Sequence, residues 1–504
     1  MADISHLLPE IIFSSKDPNI SRQISKWVSD GTLKKIAPRV YTSRIQEKPH
    51  DIIRRNLFTI LGSLYPGILL SHRSALEFEP TQTGHLFLTY SHPRKLMLGD
   101  IKLDIMMGRG PIAGDNPLSG GLYASQLERA LLENLQQSRK PGSDSKTLTI
   151  PEIEDRLEQI VRVRGENGLN EFRDKARLIG KSLGMEKEFD KLNKLVGALL
   201  STNPAHILSS PRAIARNLGS PYDPERLQVF KKLFLALQQP FQDVPEQNNS
   251  QAAFRNFAFF EAYFSNYIEG TEFQVEEAKQ IIRTGNPLPA RDQDSHDILG
   301  TYKILSDQTG MKITPGDPEE LFQILQYRHQ LLLSARPEAH PGHFKHINNR
   351  AGSTEFVDHT LVRGTLIKGF DYYLNLQHPF AKAIYLKFLI TEVHPFLDGN
   401  GRIARVMMNA ELVKAEQTRI IIPTVFREDY IGAIRQLSRQ EKPAAYIRML
   451  SRAQEFSATI VGNNMDGMQQ RLEAANAFLE PAEGKLQIIV PDAPEEERRP
   501  GRKR

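Results

Sequence analysis

Two apolar runs, residues 383–393 and 403–412, flank His394-Pro395-Phe396-Leu397-Asp398-Gly399-Asn400-Gly401-Arg402, and this arrangement constrains the chain more than any other stretch. The first run, with Ile384, Leu386, Phe388, Leu389 and Ile390, fits a buried helix that ends at His394, because the residue before a proline disfavours the helical region. The second fits a helix that starts near Asn400. The turn between them holds glycines able to take positive φ, so consecutive backbone N–H groups point into one concavity at a helix N-terminus. An anion belongs in such a place.

The side chains divide the rest of the work by their chemistry. Asp398 is a hard oxygen ligand suited to a single Mg²⁺ that also binds phosphate oxygens. Arg402 and Arg405, three apart on the first turn of the helix, can fork onto terminal phosphate oxygens. His394, at the end of the preceding helix, is placed to take a proton from an attacking hydroxyl. Phe396 is expected to point the other way and lock the loop to the core.

His-Pro-Phe-x-Asp-Gly-Asn-Gly-Arg-x-x-Arg resembles the active-site motif of the Fic family at every fixed position. Members of that family mostly transfer AMP from ATP to a hydroxyl of a target protein. The resemblance implies His394 as general base, Asp398 as Mg²⁺ ligand, Gly399, Asn400 and Gly401 as the cradle of the α- and β-phosphates, and Arg402 and Arg405 as phosphate clamps.

At 504 residues the chain is too long for one ordinary core. Its apolar content of 40% and charged content of 25% are those of a soluble globular protein. The start Met1-Ala2-Asp3-Ile4-Ser5 lacks a signal peptide's features, and no apolar run approaches a membrane span, so a cytoplasmic location without membrane contact is expected. Having no cysteine, the chain can have neither disulfides nor thiolate catalysis. The net charge of +5 is small for this length and sits partly in the terminal residues Arg498, Arg499, Arg502, Lys503 and Arg504, so charge alone does not make it a nucleic-acid binder.

Near the N-terminus, residues 21–28 read as a helix with Ile24, Trp27 and Val28 on one face. Ser29-Asp30-Gly31 reads as a turn and residues 33–41 as strand. The stretch resembles the winged helix of AbiEi-like antitoxins, with Gly-x-Leu…Val-Tyr in its hairpin. Downstream, Leu69-Leu70-Ser71-His72-Arg73-Ser74-Ala75-Leu76, strand-like 85–91 and 95–107, and helix-like 123–135 continue the likeness. Arg22, Lys34, Lys35 and Arg39 would contact DNA phosphates or an antitoxin-type partner, or simply form a solvated face. Residues 138–149, with Pro141-Gly142-Ser143, read as a loop, and 153–163 and 172–200 as amphipathic helices. Residues 208–224, rich in Ser, Pro and Gly, mark a boundary.

Residues 224–237 and 252–268 read as helices, the second ending in Ser265…Glu269-Gly270, with Gly270 suited to a helix C-cap. In the Fic family Ser/Thr-x-x-x-Glu-Gly marks an inhibitory helix. The resemblance implies that Glu269 reaches Arg405 and places negative charge where phosphate must sit. His340, His343 and His346 suggest a metal cluster by proximity, but Pro337, Pro341 and Gly342 favour a solvated turn. Residues 344–353 read as strand–turn–strand ahead of a helix at His359. By likeness this is the flap that registers a target backbone through strand addition, with Asn349, Arg350, Ala351 and Gly352 facing nucleotide and target. Residues 426–437 and 444–456 should be closing helices. Tyr430 would lie against the adenine, and a common Asn appears as Ser438. Beyond Gly462 come one helix, a strand-like 486–490 and a disordered Pro/Glu/Arg tail.

The expected fold is mainly α: an all-helical Fic domain with a short β-hairpin flap, preceded by an α+β winged-helix-like region. The expected divisions are 1–60 winged helix, 61–210 antitoxin-like, 215–460 Fic domain with the inhibitory helix at 252–270, and 461–504 extension. The expected function is an Mg²⁺-dependent protein adenylyltransferase, using ATP and a target Ser, Thr or Tyr hydroxyl and inhibited by Glu269. The alternatives are transfer of UMP, phosphate or phosphocholine, removal of AMP, or a DNA-binding toxin–antitoxin-like regulator. A homodimer is left open.

Overall fold

Helix starts are fixed by short polar side chains that accept the first free N–H groups. Asp17 does this for Pro18–Ser29, Asp223 for Pro224–Ala236, Ser250 for Gln251–Ile268 and Asp317 for Pro318–Leu332. Three of these four helices also begin with proline, which loses nothing there. The computed structural model describes residues 8–138, 142, 144–352 and 354–489. The N-terminal pentapeptide, Pro141 and Ser143 of the expected loop, Ser353 of the expected hairpin, Val490 and the tail from Arg498 to Arg504 lie outside them. The chain divides into two units, Met1–Gly219 and Ser220–Arg504.

The first unit is α+β. Strands Ile11–Phe13, Lys34–Ala37 and Val40–Thr42 form an antiparallel sheet with the third strand in the middle, and helix Pro18–Ser29 connects the first two in sequence. Only Ile24 of that helix is buried, whereas Val28 is exposed, so the face expected to include Trp27 and Val28 is narrower than its sequence suggests. A six-stranded mixed sheet follows, in the order Arg94–Leu98, Ile101–Met107, His85–Tyr90, Leu69–Leu70, Tyr123–Ala124, Asn116–Pro117. The expected single strand at 95–107 is two strands reversed at Gly99, whose φ is +60°. Likewise 123–135 is a two-residue strand followed by helix Leu127–Asn134. Helices Ile150–Leu183, Glu186–Leu199 and Pro211–Asn217 complete the unit; the expected helix over 172–200 is broken at Gly184, with φ of +67°.

The second unit is helical and built around Pro379–Val393. That helix buries residues on every side, including Ile384, Leu386, Phe388, Leu389 and Ile390, which makes it a central rather than a surface helix. It packs against Pro224–Ala236, Val362–Leu374 and Asn400–Lys414. Helices Arg427–Gln440 and Ala444–Ser457 pack on each other, and Met468, Leu472 and Leu486 from the last segment join the same core. Residues 486–489 form no strand; Gln487 N–H instead donates to Ala475 O at 3.1 Å. Among the described residues no helix is long and apolar enough to cross a membrane.

Candidate phosphate-binding site

The central helix stops at His394, which adopts the left-handed conformation (φ 55°, ψ 60°) while its N–H still donates to Ile390 O. Asn400 staples the loop that follows. Its side-chain oxygen accepts Phe396 N–H at 2.8 Å, and its amide donates to Phe396 O at 2.8 Å. Phe396 is fully buried and stacks on His329 with centroids 3.8 Å apart, so it does lock the loop to the core. Gly342 N–H donates to His329 Nδ1, so the ring's proton is on Nε2, which donates to Asp398 O at 3.1 Å. Burial drives His329 down to about 4 and keeps it neutral.

Gly399 (φ 72°) then starts Asn400–Lys414, and Ile403 is the first residue whose N–H finds a carbonyl of that turn, Gly399 O at 3.0 Å. Among the described residues the N–H groups of Asn400, Gly401 and Arg402 therefore have no backbone acceptor at the positive end of the helix. A Cβ on Gly401 would collide with Glu269 Oε1. A side chain there would have to displace the Glu269 carboxylate from its place beside Arg405.

His394 stacks on Phe356 at 3.6 Å with nearly parallel rings, and its Nδ1 lies 3.2 Å from Thr391 O. Donation from Nδ1–H to that carbonyl leaves Nε2 as the free basic atom. Burial lowers the imidazole to about 4, so at neutral pH it is a proton acceptor.

The arginines are already engaged. Arg405 donates from Nε to Ser265 Oγ at 2.9 Å and from Nη2 to Ser265 O at 2.8 Å and Glu269 Oε1 at 2.6 Å. Burial, the largest single influence, acts to raise the Glu269 carboxyl, but the charge and hydrogen bond of Arg405 together with the charge of Arg402 hold the group below its ordinary value. Arg402 pairs with Asp297 at 2.6 Å, and Asp297 also holds Arg336 at 2.5 Å. Arg402 thus presents a neutralised guanidinium rather than the free fork expected. Arg336 reaches on to Asp398 Oδ2 at 3.3 Å. Asp297, Arg336 and Phe356 were absent from the sequence reading, and no spacing or motif signals them.

Asn349 and Tyr430 need correction. The Asn349 amide donates to Phe396 O at 2.9 Å and its oxygen accepts Lys345 Nζ at 2.8 Å, so it braces the motif loop instead of facing outward. The hairpin pairs Arg350 with Glu355 and Ala351 with Thr354, later in the chain than expected, with Arg350, Ala351 and Gly352 exposed. No strand forms over 344–349. Tyr430 is buried beneath Arg405, its hydroxyl 3.4 Å from Nη1 and Lys387 over its ring at 4.4 Å, which leaves no face for a base. Ser438 donates to Glu392 at 2.8 Å.

Among the described residues no three acidic or histidine side chains gather to hold a metal, His340, His343 and His346 included. Asp398, with its side chain 50% exposed at the start of the helix whose first N–H groups have no backbone acceptor, fits an ion that takes one protein carboxylate and draws its other ligands from phosphate and water.

Residues 319–412 match the Fic/DOC family model. A protein adenylyltransferase Fic from Nematostella vectensis is 28% identical over 217 residues, covering 40% of this chain and 48% of that protein. Another from Drosophila persimilis is 26% identical over 204 residues, covering 37% and 38%. The chain thus spans less than half the length of these curated relatives. The solved structure of Fic-1 from C. elegans aligns with 66% of this chain and 89% of its own at 16% identity and a TM-score of 0.35.

Proposed function

We propose that this chain, whose residues 319–412 match the Fic/DOC family model, is a protein adenylyltransferase held in check by Glu269. The observation that supports this best is the free Nε2 of a neutral His394 at the end of the helix that leads into the unsatisfied N–H groups of Asn400, Gly401 and Arg402. In this reading those N–H groups and Arg405 bind the phosphates of ATP. The exposed edge of Arg350–Ala351 pairs with a target backbone and brings its Ser, Thr or Tyr hydroxyl in line with the α-phosphorus. The hydroxyl oxygen bonds to that phosphorus, the bond to the bridging α–β oxygen breaks, pyrophosphate departs, and the hydroxyl proton passes to His394 Nε2. Mg²⁺, when bound at Asp398, would neutralise charge on the phosphates.

Glu269 occupies Arg405 and crowds Gly401, so nucleotide and carboxylate compete for one guanidinium and one helix end. This is the basis of the proposed inhibition. The test is transfer of label from ATP labelled at the α-phosphate to protein in cell lysate. The Glu269→Gly form should label and Glu269→Gly/His394→Ala should not. Label carried from the γ-phosphate instead, or labelling that survives loss of His394, would overturn the assignment, and the mass added to the acceptor identifies the group moved.

A further inference from the structure

A cavity of about 520 Å³ opens in the second unit, lined by Ile304, Ile313, Ile324, Tyr327, Arg328 and Leu331. Its walls are apolar over Ile304, Ile313, Ile324 and Leu331 and polar at Lys303, Asp307 and Gln323, and Ile313 and Tyr327 are left 56% and 63% exposed. Arg328 is of another kind, for it is only 4% exposed and carries a charge. Its Nη2 donates to Gly310 O at 2.9 Å and Ile313 O at 2.8 Å, while Nη1 meets only the thioether of Met407 at 2.9 Å. A thioether is a weak acceptor.

Among the described residues no carboxylate forms an ion pair with Arg328. The two acids that act on it through space have other partners. Glu411 accepts the Tyr373 hydroxyl at 2.6 Å, and Asp307 accepts Gly310 N–H at 3.0 Å as a helix cap. Burial lowers the guanidinium to about 10, the direction expected of a cation short of counter-charge. A buried charge without a partner is costly, and so is apolar surface left in water. One class of ligand relieves both. The volume lies in the range of small-molecule sites. Lys303 adds a second cation to the lining, and Asp307 on the same lining disfavours a dianion.

We propose that this cavity binds a monocarboxylate with a hydrocarbon or aryl body, its head on Arg328 and its body along Ile304, Ile324 and Leu331. Through Arg328 such a ligand would adjoin two supports of the motif, neither of which lines the cavity itself. Arg328 precedes His329, which stacks under Phe396, and Met407 lies on Asn400–Lys414. The site does not depend on the transfer activity.

Calorimetric titration of the full chain with octanoate tests it, with 1-octanol and octyl phosphate as the uncharged and dianionic arms. Octanoate should bind saturably. 1-Octanol, octyl phosphate, and octanoate on Arg328→Met should each bind roughly ten-fold more weakly or worse, the scale of one charge-assisted hydrogen-bonded pair. Ile324→Trp, which fills the cavity and keeps the arginine, should abolish binding. Should Arg328→Met fail to fold, the alcohol arm and Ile324→Trp decide. Octanoate giving no saturable heat, 1-octanol matching it, or Ile324→Trp binding it unchanged would each overturn the proposal.

Discussion

Replacing Glu269 by Gln and by Gly separates its charge from its bulk. The carboxylate sits 2.6 Å from Arg405, where a terminal phosphate oxygen would compete for the same nitrogen. Two unit negative charges about 4 Å apart at a near-surface effective dielectric repel by about 4 kcal/mol. The Glu269 side chain is 35% exposed, so screening reduces this by about half, to about 2 kcal/mol. At about 1.4 kcal/mol per decade, that is roughly 30-fold in ATP affinity. Glu269→Gln removes the charge and should recover about that factor. Glu269→Gly also clears the space over Gly401 and frees Arg405, so it should bind more tightly still. The assay is calorimetry of ATP with Mg²⁺ in a His394→Ala background, where turnover does not intrude. If both variants bind ATP no more tightly than the parent, the charge argument is refuted. If Gly gains and Gln does not, bulk rather than charge is the obstacle.

Three further outcomes are expected. Because burial lowers His394 to about 4 from an ordinary 6.5, the base stays unprotonated as pH falls from 8 to 5, and the rate of the Glu269→Gly form should not drop with a midpoint near 6.5; a pH–rate profile that does so contradicts the buried, neutral imidazole. By linkage, the unfolded chain takes up that proton first, so this histidine costs stability progressively as pH falls from about 6.5 towards 4. Phe396→Ala, which removes a fully buried ring from between His329 and Phe344, should cost about 3–5 kcal/mol in urea denaturation, and a loss under about 1 kcal/mol would show that the ring does not anchor the loop. Chelation of Mg²⁺ and Asp398→Ala should each abolish labelling while leaving the melting temperature within a few degrees; a large fall in melting temperature for the variant would assign the carboxylate a structural role through Arg336.

The motif's helix–turn–helix was legible because its signals are local: a wholly apolar run, a proline directly after it, and glycines where the chain must reverse. The turn at Gly270, with φ of +94°, was legible for the same reason, whereas the reach of Glu269 to Arg405, 136 positions away, was expected only from the family resemblance. What stayed hidden depends on distant parts of the chain. Asp297 meets Arg402 across more than a hundred positions, and nothing around it distinguishes it from an exposed helical acid. Asn349 looks like a turn residue, and only the folded loop shows that its amide is taken by Phe396 O. The flap strands are two residues each, too short for an alternating pattern to fix their register. In the first unit, Gly99-Asp100 was a turn signal that the long apolar alternation around it masked.

His394 carries its imidazole on a left-handed backbone, a geometry that a residue with a Cβ adopts at a cost of about 1 kcal/mol or more and that glycine adopts freely. Replacement by glycine would therefore relax the fold at the moment it removes the imidazole, whereas alanine keeps the strain. Of the two variants the glycine one should be the hardier, so the imidazole is held in place at the expense of the scaffold.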